Sequence, residues 1–371
     1  MPGNPVKVGV IGCGTISQFV HLPNICASGA ELVGVCDVDP TRLSMAQRRF
    51  GAPVAVREAE ALMDQPGLEA VLIATHDVSH CDLAVAAVER GKHVFVEKPV
   101  CMSPAQGARL EEAVRRAGVV VGVGYQKLYD RGAAWLSRIL AQGEDVFLVS
   151  ARNICHDNDL VLAEVLPPEM QTSEFLRGRT DYGESPHWDG IVERYLPGCP
   201  RSLANTYRVF LNLACHDLSS VIGLLGSPTA IRYSEFWDHD SGPRCVVVYE
   251  LGDGCRCVLE MALTSRKWFD QSLCLYGCDR TMTIRWPSPF RPGDLTVASC
   301  QQMTEAAPVT RQFSCEAFAA YRDEWDAFVT AVCGGNAHLG SLDLALSVLE
   351  WQFAAIVRDF RHRQDVVPVV T

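Results

Sequence analysis

The segment Val6–Thr15, which reads VKVGVIGCGT, constrains the fold of this chain more than any other stretch. Its β-branched apolar residues predict a short strand buried in a parallel sheet. Two glycines end the strand, and the sequence at 16–27 that follows predicts a helix. The result is a Gly12-x-Gly14-x-x-Ser17 pattern between a strand and a helix, which is typical of a dinucleotide-binding turn.

Each position of this turn has a physical reason in a dinucleotide site. Gly12 permits the tight turn, and Gly14 lets the backbone approach a pyrophosphate closely. Thr15 and Ile16 begin the helix, whose first amide groups point at that anion. The third position needs only a small residue where the helix packs on the strand, so Ser17 is compatible. A glycine turn between any strand and helix gives the same pattern, so the context has to decide.

The next strand supplies that context. Residues 31–36 (ELVGVC) predict a second strand that ends at Asp37, 23 residues beyond Gly14. A carboxylate at this tip accepts hydrogen bonds from the adenosine ribose hydroxyls and repels a 2′-phosphate, so NAD is the expected cofactor. NADP is less favoured, but Arg42 keeps it open, because an arginine here can stack on adenine or hold a phosphate.

Strand and helix signals go on alternating through the first third of the chain. Further strands are predicted at 54–56, 70–74, 94–96 and 119–123, and helices at 40–50, 78–90 and 104–117. Strands that alternate with helices in this way predict a doubly wound parallel sheet of the α/β class. We therefore expect an NAD(P)-binding Rossmann domain at residues 1–124.

Beyond Gly124 the pattern changes to alternating strands with few helices. Strands are predicted at 146–151, 230–236, 245–251, 256–263 and 272–277, and helices at 203–225, 318–332 and 343–361. Gly252-Asp253-Gly254 is a hairpin signal, so this sheet is expected to be antiparallel or mixed, within a second domain at 125–371. Residues 167–199 lack periodicity and are interpreted as a long excursion over a substrate pocket, or lid.

The composition narrows the class of protein. With 371 residues the chain exceeds one ordinary core, so two domains are expected. The formal net charge of −11 disfavours nucleic acid and anionic membranes as partners. No apolar run reaches the ~18 residues of a membrane helix, and the N-terminus shows no signal-peptide pattern, so a cytoplasmic location is predicted.

The chain has 16 cysteines, which are scattered, and several of them lie within apolar strands and helices. In a cytoplasmic chain such residues act mainly as small buried hydrophobes. Cys255-x-Cys257 and Cys274-x-x-x-Cys278 are the two close pairs, and both lie in strand-like sequence. Neither has the paired spacing of a zinc site, so no metal is expected.

Three short polar segments follow strands at the carboxyl edge of the predicted parallel sheet, where such sheets bind ligands. They are Thr75-His76, Glu97-Lys98-Pro99 and Tyr125-Gln126-Lys127. The predicted cofactor contacts here are Thr75, His76, Glu97, Lys98 and Gln126, together with His80 on the helix after Thr75. For His80, helix capping or surface exposure is the alternative.

Lys98 carries the predicted chemistry. It directly follows a buried strand, and the neighbouring proline restricts the local backbone. A lysine in a partly desolvated cleft beside an oxidised, cationic nicotinamide is expected to have a lowered pKa. It could then exchange a proton with an alcohol or carbonyl oxygen while hydride moves at carbon. A surface lysine that closes a turn is the alternative.

Two polar residues, Asn212 and His216, lie in the apolar sequence predicted as the helix at 203–225. Asn212 and His216 are four residues apart, so they share one helix face and need partners in the core or in a ligand pocket. His156 follows the strand predicted at 146–151, where short polar side chains could bind sugar hydroxyls. We expect all three residues to contact substrate, with Asn212 and His216 also in catalytic roles.

These motifs together resemble the Gfo/Idh/MocA oxidoreductases, the group of glucose–fructose oxidoreductase and inositol dehydrogenase. The resemblance is carried by the glycine turn, Asp37, Glu97-Lys98-Pro99 and the segment Asn212…His216-Asp217. It implies that Lys98 is catalytic or orients substrate and that His216 faces substrate. Tyr125 and Lys127 resemble a family segment near nicotinamide and substrate, so the resemblance implies that both contact substrate. It also implies a Rossmann domain followed by a larger α/β domain, whose large, open and mostly antiparallel sheet often serves as an oligomer interface, hence a homodimer or homotetramer.

One departure from the family matters for mechanism. Asn212 stands where the family has an aspartate, and an amide orients a hydroxyl but cannot take its proton. Any base must then be Lys98 or His216. Tyr207 and Arg208 replace two glycines that usually open this helix, which points to an unusual pocket.

The leading functional prediction is an NAD(H)-dependent oxidoreductase acting on a secondary alcohol or ketone of a sugar, cyclitol or related polyol. One alternative is a redox-neutral epimerase, lyase or glycosidase-like enzyme that retains NAD. An alternative of another class is a nucleotide-binding sensor without catalysis. Net NADH production separates the first two predictions.

Overall fold

The computed structural model describes residues 5–143, 145–156, 159–172, 185–239, 242–265, 268–336 and 340–365. The chain forms two compact units. Unit 1 comprises Met1–Tyr129, Val165–Asp181 and Ala319–Leu346, and unit 2 comprises Asp130–Glu164, Tyr182–Phe318 and Ser347–Thr371. Unit 1 thus extends past the expected boundary at Gly124 and takes in two later segments of the chain.

Unit 1 contains a six-stranded parallel sheet. Its strands are β1 (Lys7–Ile11), β2 (Glu31–Cys36), β3 (Val54–Val56), β4 (Ala70–Ile73), β5 (His93–Val96) and β6 (Val121–Val123). The spatial order is β3-β2-β1-β4-β5-β6, and every neighbouring pair is parallel. This order confirms the predicted doubly wound sheet, with the switch in strand order between β1 and β4.

Helices connect these strands. They are a π-helical turn at Ser17–His21, α1 (Leu22–Ala27), α2 (Pro40–Phe50), α3 (Ala59–Met63), α4 (Asp77–Glu89) and α5 (Pro104–Ala117). Local signals explain why α2 and α5 match their predicted bounds. Asp39 caps the first amides of α2, and Gly118 ends α5 in the left-handed conformation at φ 66°. The π turn and α3 were not predicted.

Unit 2 contains an eight-stranded sheet. Its strands are β7 (Val146–His156), β8 (Ala230–His239), β9 (Gly242–Glu250), β10 (Arg256–Thr264), β11 (Asp270–Gly277), β12 (Arg280–Trp286), β13 (Leu295–Met303) and β14 (Pro308–Glu316). The order is β14-β13-β12-β11-β7-β10-β9-β8, and only the β7–β10 pair is parallel. The expected, mostly antiparallel sheet is confirmed, but β12, β13 and β14 were not predicted.

The remaining helices follow in chain order. They are α6 (Arg131–Leu140), α7 (Asp159–Val165), α8 (Pro186–Tyr195), α9 (Arg201–Leu213), α10 (Cys215–Leu225), α11 (Ala319–Val332) and α12 (Leu342–Asp365). The interpretation of 167–199 as aperiodic is wrong where α8 forms. The part of that segment at 173–184 lies outside the described residues, so the lid stays a prediction.

The single helix predicted at 203–225 is also wrong. The structure has two helices, α9 and α10, which meet at Ala214 at an angle of 45°. The thiol of Cys215 donates a hydrogen bond to the Asn212 carbonyl at 3.2 Å, and the Gln352 amide donates to the Phe210 carbonyl at 2.8 Å. Both contacts are made to carbonyls of the last turn of α9, next to the bend.

The core of unit 1 contains residues from the sheet and from the late helix α11. Phe95 of β5 packs edge-to-face on Trp325 and Phe328, at ring-centroid distances of 5.8 and 5.5 Å. The Trp325 indole nitrogen donates to the Ser28 hydroxyl at 2.9 Å. Burial of these aromatic rings explains why α11 belongs to unit 1, about 200 residues after its last strand.

In the described part of the chain, no single helix has the length and apolar character needed to cross a membrane. The bent pair α9 and α10 meets that criterion only when both helices are taken together.

Candidate active site

The carboxyl ends of the parallel strands bring most of the predicted cofactor residues of unit 1 to one edge. The backbone ladder runs on past the strands, with Ala74 bonded to Ile11, Glu97 to Ile73 and Gly124 to Val96 at 2.8–2.9 Å. The glycine turn, Thr75, Glu97-Lys98 and Tyr125 therefore follow neighbouring strands at this edge. This is the edge where open α/β sheets bind ligands.

The two glycines of the turn differ in what surrounds them. Gly12 has φ +94°, and a Cβ atom there would lie 2.4 Å from the Ala74 carbonyl oxygen. Only glycine fits that position without backbone movement. A Cβ atom on Gly14 would meet no atom within 4 Å. The fold does not need glycine at position 14, whereas close approach of a pyrophosphate would.

The first turn of the helix carries two hydroxyl groups. The Ser17 hydroxyl donates to the Gly12 carbonyl at 2.5 Å, so the serine in the third glycine position ties the turn to the helix. The Thr15 hydroxyl is buried and has no hydrogen-bond partner among the described residues. An unsatisfied buried hydroxyl is costly, and an anion bound at this helix N-terminus would satisfy it. These features fit a dinucleotide.

Asp37 lies at the tip of β2, as predicted, and is bonded to the glycine turn. Its Oδ2 atom accepts from the Cys13 amide at 2.6 Å, and Oδ1 accepts from the Asp39 amide at 2.8 Å. A carboxylate has about four acceptor positions, so Asp37 retains capacity for ribose hydroxyls. Arg42 is half-buried in the first turn of α2, close in sequence to this carboxylate.

The other predicted cofactor residues differ in exposure. Thr75 shares a hydrogen bond with the Ser79 hydroxyl at 2.8 Å, and His76 is exposed at the start of α4. Ile16 packs against the unit 1 core. Gln126 is buried, and its amide donates to the Tyr321 hydroxyl at 3.3 Å. Contact of these residues with a cofactor stays a prediction.

Lys98 is half-buried directly after β5, and its neighbour Glu97 makes the defining contacts of this segment. The Oε1 atom of Glu97 lies 2.7 Å from Nε2 of His21, and its Oε2 atom accepts from the Lys98 backbone amide at 3.2 Å. A Cβ atom on Gly124 would lie 3.2 Å from the Glu97 carboxylate. The glycine after β6 therefore leaves room for this carboxylate.

Electrostatics keep Glu97 ionised. Burial raises its pKa, but the hydrogen bond and charge of His21 and the nearby charges of Lys98 and His80 outweigh that effect. The net result is a pKa below the ordinary value for glutamate. Glu97 is therefore a carboxylate at neutral pH, beside the backbone of Lys98.

His80 is buried on α4, so the surface position considered for it is excluded. Its Nδ1 atom lies 2.9 Å from the Pro99 carbonyl oxygen, and its Nε2 atom lies 3.0 Å from the Thr75 carbonyl oxygen. Burial lowers its pKa, although both carbonyls and the charges of Asp77 and Glu97 act in the opposite direction. Both ring nitrogens face protein groups, and contact with a cofactor stays a prediction.

Tyr125 and Lys127 are buried at the turn after β6. Beside them on α11 lies Glu324, which sequence reasoning missed. Burial and the negative charge of Glu97 raise the pKa of Glu324 well above its ordinary value, although a hydrogen bond from the backbone of Tyr125 lowers it. Two glutamates in this unit thus have pKa values displaced in opposite directions.

In unit 2, Asn212 and His216 lie on different helices because the chain bends between them. Asn212 is buried near the end of α9, and its amide donates to the Arg208 carbonyl at 3.1 Å. His216 is half-buried in the first turn of α10. The shared helix face expected for the two residues no longer follows, since that expectation assumed one continuous helix.

A buried polar network fixes the first turn of α10. Asp217 accepts from the Asn153 amide and from the Gln271 amide, both at 2.7 Å. Asn153 and Gln271 are direct cross-strand partners on β7 and β11. They satisfy the buried carboxylate, which is next to His216 in sequence. Sequence reasoning noted Asp217 only as part of a motif and missed both amides.

His156 is buried at the end of β7, with its ring 6.0 Å from the Phe269 ring. The predicted substrate residues are thus divided between the units. Lys98, Tyr125 and Lys127 lie in unit 1, and His156, Asn212 and His216 lie in unit 2. Among the residues that sequence reasoning missed, His21 is the most informative, because no local pattern connects it with Glu97, 76 residues later.

Comparison with known proteins fits this arrangement. A family model described as an oxidoreductase family with an NAD-binding Rossmann fold, GFO_IDH_MocA, matches residues 6–125. Those residues belong to the Gfo/Idh/MocA family. The match covers the glycine turn, Asp37 and the Glu97-Lys98-Pro99 segment, so the predicted family is confirmed for this part of the chain.

The relatives in sequence cover a similar part of the chain. The scyllo-inositol 2-dehydrogenase (NAD(+)) of Bacillus subtilis (strain 168) is 32% identical over 141 residues, which are 38% of this chain and 41% of that protein. The myo-inositol 2-dehydrogenase of Thermotoga maritima is 30% identical over 139 residues, which are 37% of this chain and 41% of that protein. The chain thus spans about two fifths of the length of these curated relatives.

A solved structure extends the likeness to the whole fold. KijD10, a 3-ketoreductase from Actinomadura kijaniata in complex with NADP and TDP-benzene, superposes with a TM-score of 0.70 at 18% identity. The alignment covers 95% of this chain and 97% of that one. The fold of this chain therefore resembles that of the 3-ketoreductase over both units.

Proposed function

We propose that this protein is an NAD(H)-dependent oxidoreductase that acts on a secondary alcohol or ketone of a sugar, cyclitol or related polyol. The observation that carries the proposal is the row of groups at the carboxyl edge of the unit 1 sheet. There the glycine turn, with the buried Thr15 hydroxyl, and the Glu97-Lys98 segment follow neighbouring parallel strands. The matched inositol 2-dehydrogenases support the substrate class.

The residues that would hold the coenzyme follow from the fit described above. Gly12, Gly14 and the first turn with Thr15 would receive the pyrophosphate, and Asp37 would accept hydrogen bonds from the adenosine ribose. A nicotinamide coenzyme supplies or accepts hydride when it is bound. The negative charge of Asp37 disfavours a 2′-phosphate, so NAD is proposed over NADP. That KijD10 was solved with NADP makes a direct comparison of the two coenzymes necessary.

In this proposal Lys98 holds the proton that the substrate oxygen gains or loses. Its ammonium group donates to a carbonyl oxygen as hydride arrives at carbon, and its amine accepts from an alcohol in the reverse direction. Asn212 cannot take a proton, so its amide orients a hydroxyl. His216 is the second group able to exchange a proton, and the network around Asp217 fixes the helix turn that carries it.

The experiment compares Lys98→Met with a matched variant, Lys92→Met. Lys92 precedes β5 at the opposite end of the strand, and its amine donates to the Leu68 carbonyl. We expect Lys98→Met to lose at least 1,000-fold in kcat on a panel of sugars and cyclitols, followed by nicotinamide absorbance, with NADH affinity within about threefold. Lys92→Met should match the wild type.

Two results would reject the proposal. Coenzyme binding without turnover of any polyol, together with a dispensable Lys98, would indicate the non-catalytic sensor. Substrate conversion without net NADH at steady state would indicate a redox-neutral enzyme that retains NAD. We also propose a homodimer or homotetramer, which light scattering at several protein concentrations would test.

A further inference from the structure

Two buried histidines flank Lys98, one through the residue before it and one through the residue after it. His21 contacts the Glu97 carboxylate at 2.7 Å, and His80 contacts the Pro99 carbonyl oxygen at 2.9 Å. Both imidazoles are 2% exposed. The three-residue segment around Lys98 is thus attached at both ends to side chains from other elements.

The first attachment starts from the helix after the glycine turn. His21 is the last residue of the π turn Ser17–His21, which begins three residues after Gly14. Its ring packs edge-to-face on Phe95 of β5 at 5.7 Å, which fixes the plane of the imidazole. Single π turns inside helices occur frequently at functional sites. Here the turn ends at the residue that contacts Glu97.

Glu97 connects His21 with the backbone of Lys98. One carboxylate oxygen lies against His21, and the other accepts from the Lys98 backbone amide at 3.2 Å. The pair His21–Glu97 therefore connects the helix of the glycine turn with the backbone of Lys98 through two consecutive contacts. A shift of this helix can therefore move the backbone of Lys98 without a shift of the sheet.

The second attachment starts from α4. His80 lies between two carbonyl oxygens, that of Pro99 at 2.9 Å and that of Thr75 at 3.0 Å. A neutral imidazole has a single N–H group and can donate to only one of them. The choice of tautomer therefore decides whether α4 holds the Lys98 segment or the turn after β4.

We propose that His21 and His80 are positioning residues for Lys98, with His21 donating through Nε2 to Glu97 and His80 donating through Nδ1 to Pro99. Together they fix the backbone of Lys98 from two sides, so that its amine meets the substrate oxygen in one orientation. This inference rests on the proposed function, since it assigns the two histidines a role in the same reaction. Neither histidine needs to touch substrate.

Matched amide substitutions separate hydrogen bonding from simple packing. Glutamine places its amide nitrogen near the Nε2 position of histidine, and asparagine places it near the Nδ1 position. His21→Gln thus keeps a donor for Glu97, and His21→Asn does not. For His80 the order reverses, because His80→Asn keeps the donor for Pro99 and His80→Gln moves it towards Thr75. His93→Gln, at the opposite end of β5, is the control.

We expect kcat to be about 10- to 100-fold higher in His21→Gln than in His21→Asn, and in His80→Asn than in His80→Gln. Within each pair, coenzyme affinity should agree, so the difference appears in kcat and not in the binding constants. Tm should be lower in His21→Asn than in His21→Gln, because Glu97 loses its donor, so kcat is measured well below both Tm values. His93→Gln should retain wild-type kcat. Equal kcat within both pairs, or coenzyme affinities that fall together with kcat, would overturn the proposal.

A measurement on the unmodified enzyme remains decisive if a variant does not fold. Nitrogen-15 spectra of histidine-labelled protein report which ring nitrogen carries the proton. We expect Nε2–H for His21 and Nδ1–H for His80, and the Nε2–H tautomer of His80 would contradict the second attachment. If the wild type itself transfers no hydride, the proposed function fails. If the wild type is active but the pairs and tautomers disagree with expectation, only this inference fails.

Discussion

The imidazole Nε2 atom of His21 lies 2.7 Å from the carboxylate Oε1 atom of Glu97, and this contact joins the glycine-turn helix to the end of β5. Both side chains are largely removed from water, at 2% and 13% exposure. A buried carboxylate is costly unless it is paired or hydrogen-bonded. Glu97 therefore depends on His21 for stability as well as for position.

The low pKa of Glu97 predicts how unfolding depends on pH. Since the folded protein binds the proton of Glu97 more weakly than the unfolded chain, this carboxylate stabilises the fold fully above its ordinary pKa of 4.5. The contribution disappears as pH falls below that value. We expect Glu97→Gln to destabilise the protein at pH 7, and the difference from wild type to shrink between pH 5 and 3 in urea denaturation.

An exposed glutamate of the same unit is the control for that measurement. Glu112 on α5 pairs with Arg115 at the surface, where water screens the interaction. Glu112→Gln should change the free energy of unfolding far less at every pH. If Glu97→Gln lowers the free energy of unfolding by the same amount at every pH, then Glu97 contributes through its shape and not through its charge.

Glu324 predicts the opposite dependence on pH. Its raised pKa means that the folded protein retains a proton that the unfolded chain releases above pH 4.5. Wild-type stability is therefore reduced by about 1.4 kcal/mol for each pH unit between 4.5 and the raised value. We expect Glu324→Gln, which cannot ionise, to gain stability relative to wild type as pH rises from 4.5 to 7. A constant difference across this range would contradict the assignment.

The sequence predicted unit 1 well because its signals are local. The strand at 31–36 and the helices at 40–50 and 104–117 match the structure residue for residue. Buried β-branched runs, a capping aspartate and a terminating glycine act within a few residues of each other. The glycine turn and Asp37 could be placed for the same reason.

The features that could not be predicted from the sequence depend on contacts between distant residues. Next to the bend at Ala214, Gln352 of α12 donates to the Phe210 carbonyl, a contact with a distant residue that the local sequence does not reveal. β14 is almost entirely exposed, and Arg311 interrupts the alternation of apolar residues that would reveal the strand. Likewise, Asn153 and Gln271 became visible as partners of Asp217 only when the register of β7 and β11 was known.

Coenzyme preference should change when the charge of Asp37 is removed. Asp37→Asn keeps one acceptor oxygen, so one of the amides of Cys13 and Asp39 loses its partner, at a cost of about 1–3 kcal/mol. We expect the ratio of kcat/KM for NAD to that for NADP to fall at least about tenfold, because repulsion of a 2′-phosphate is lost. Asp39→Asn is the control, since asparagine caps a helix equally well. An unchanged ratio would remove Asp37 from coenzyme selection.

The hydrogen bond between Asp217 and Asn153 can be tested by exchanging the carboxylate and the amide between the two positions. Asp217→Asn turns an amide towards the amide of Asn153 or Gln271 and should lower the free energy of unfolding by about 1–3 kcal/mol. Adding Asn153→Asp restores a carboxylate opposite the new amide, and we expect the double variant to recover at least half of that loss. Strictly additive losses in thermal unfolding would show that the two side chains are not coupled.

Alanine substitutions at the two glycines of the turn should have different effects, on Tm at position 12 and on NAD affinity at position 14. Gly12→Ala places a Cβ atom 2.4 Å from the Ala74 carbonyl oxygen at φ +94°, so it should lower Tm markedly. Gly14→Ala adds a methyl group that meets no atom within 4 Å, so Tm should stay within about 2 °C of wild type. The same methyl group would occupy the space that a pyrophosphate needs, and we expect NAD affinity to fall at least about tenfold in calorimetric titration. Wild-type NAD affinity in Gly14→Ala would mean that the dinucleotide does not lie across this turn.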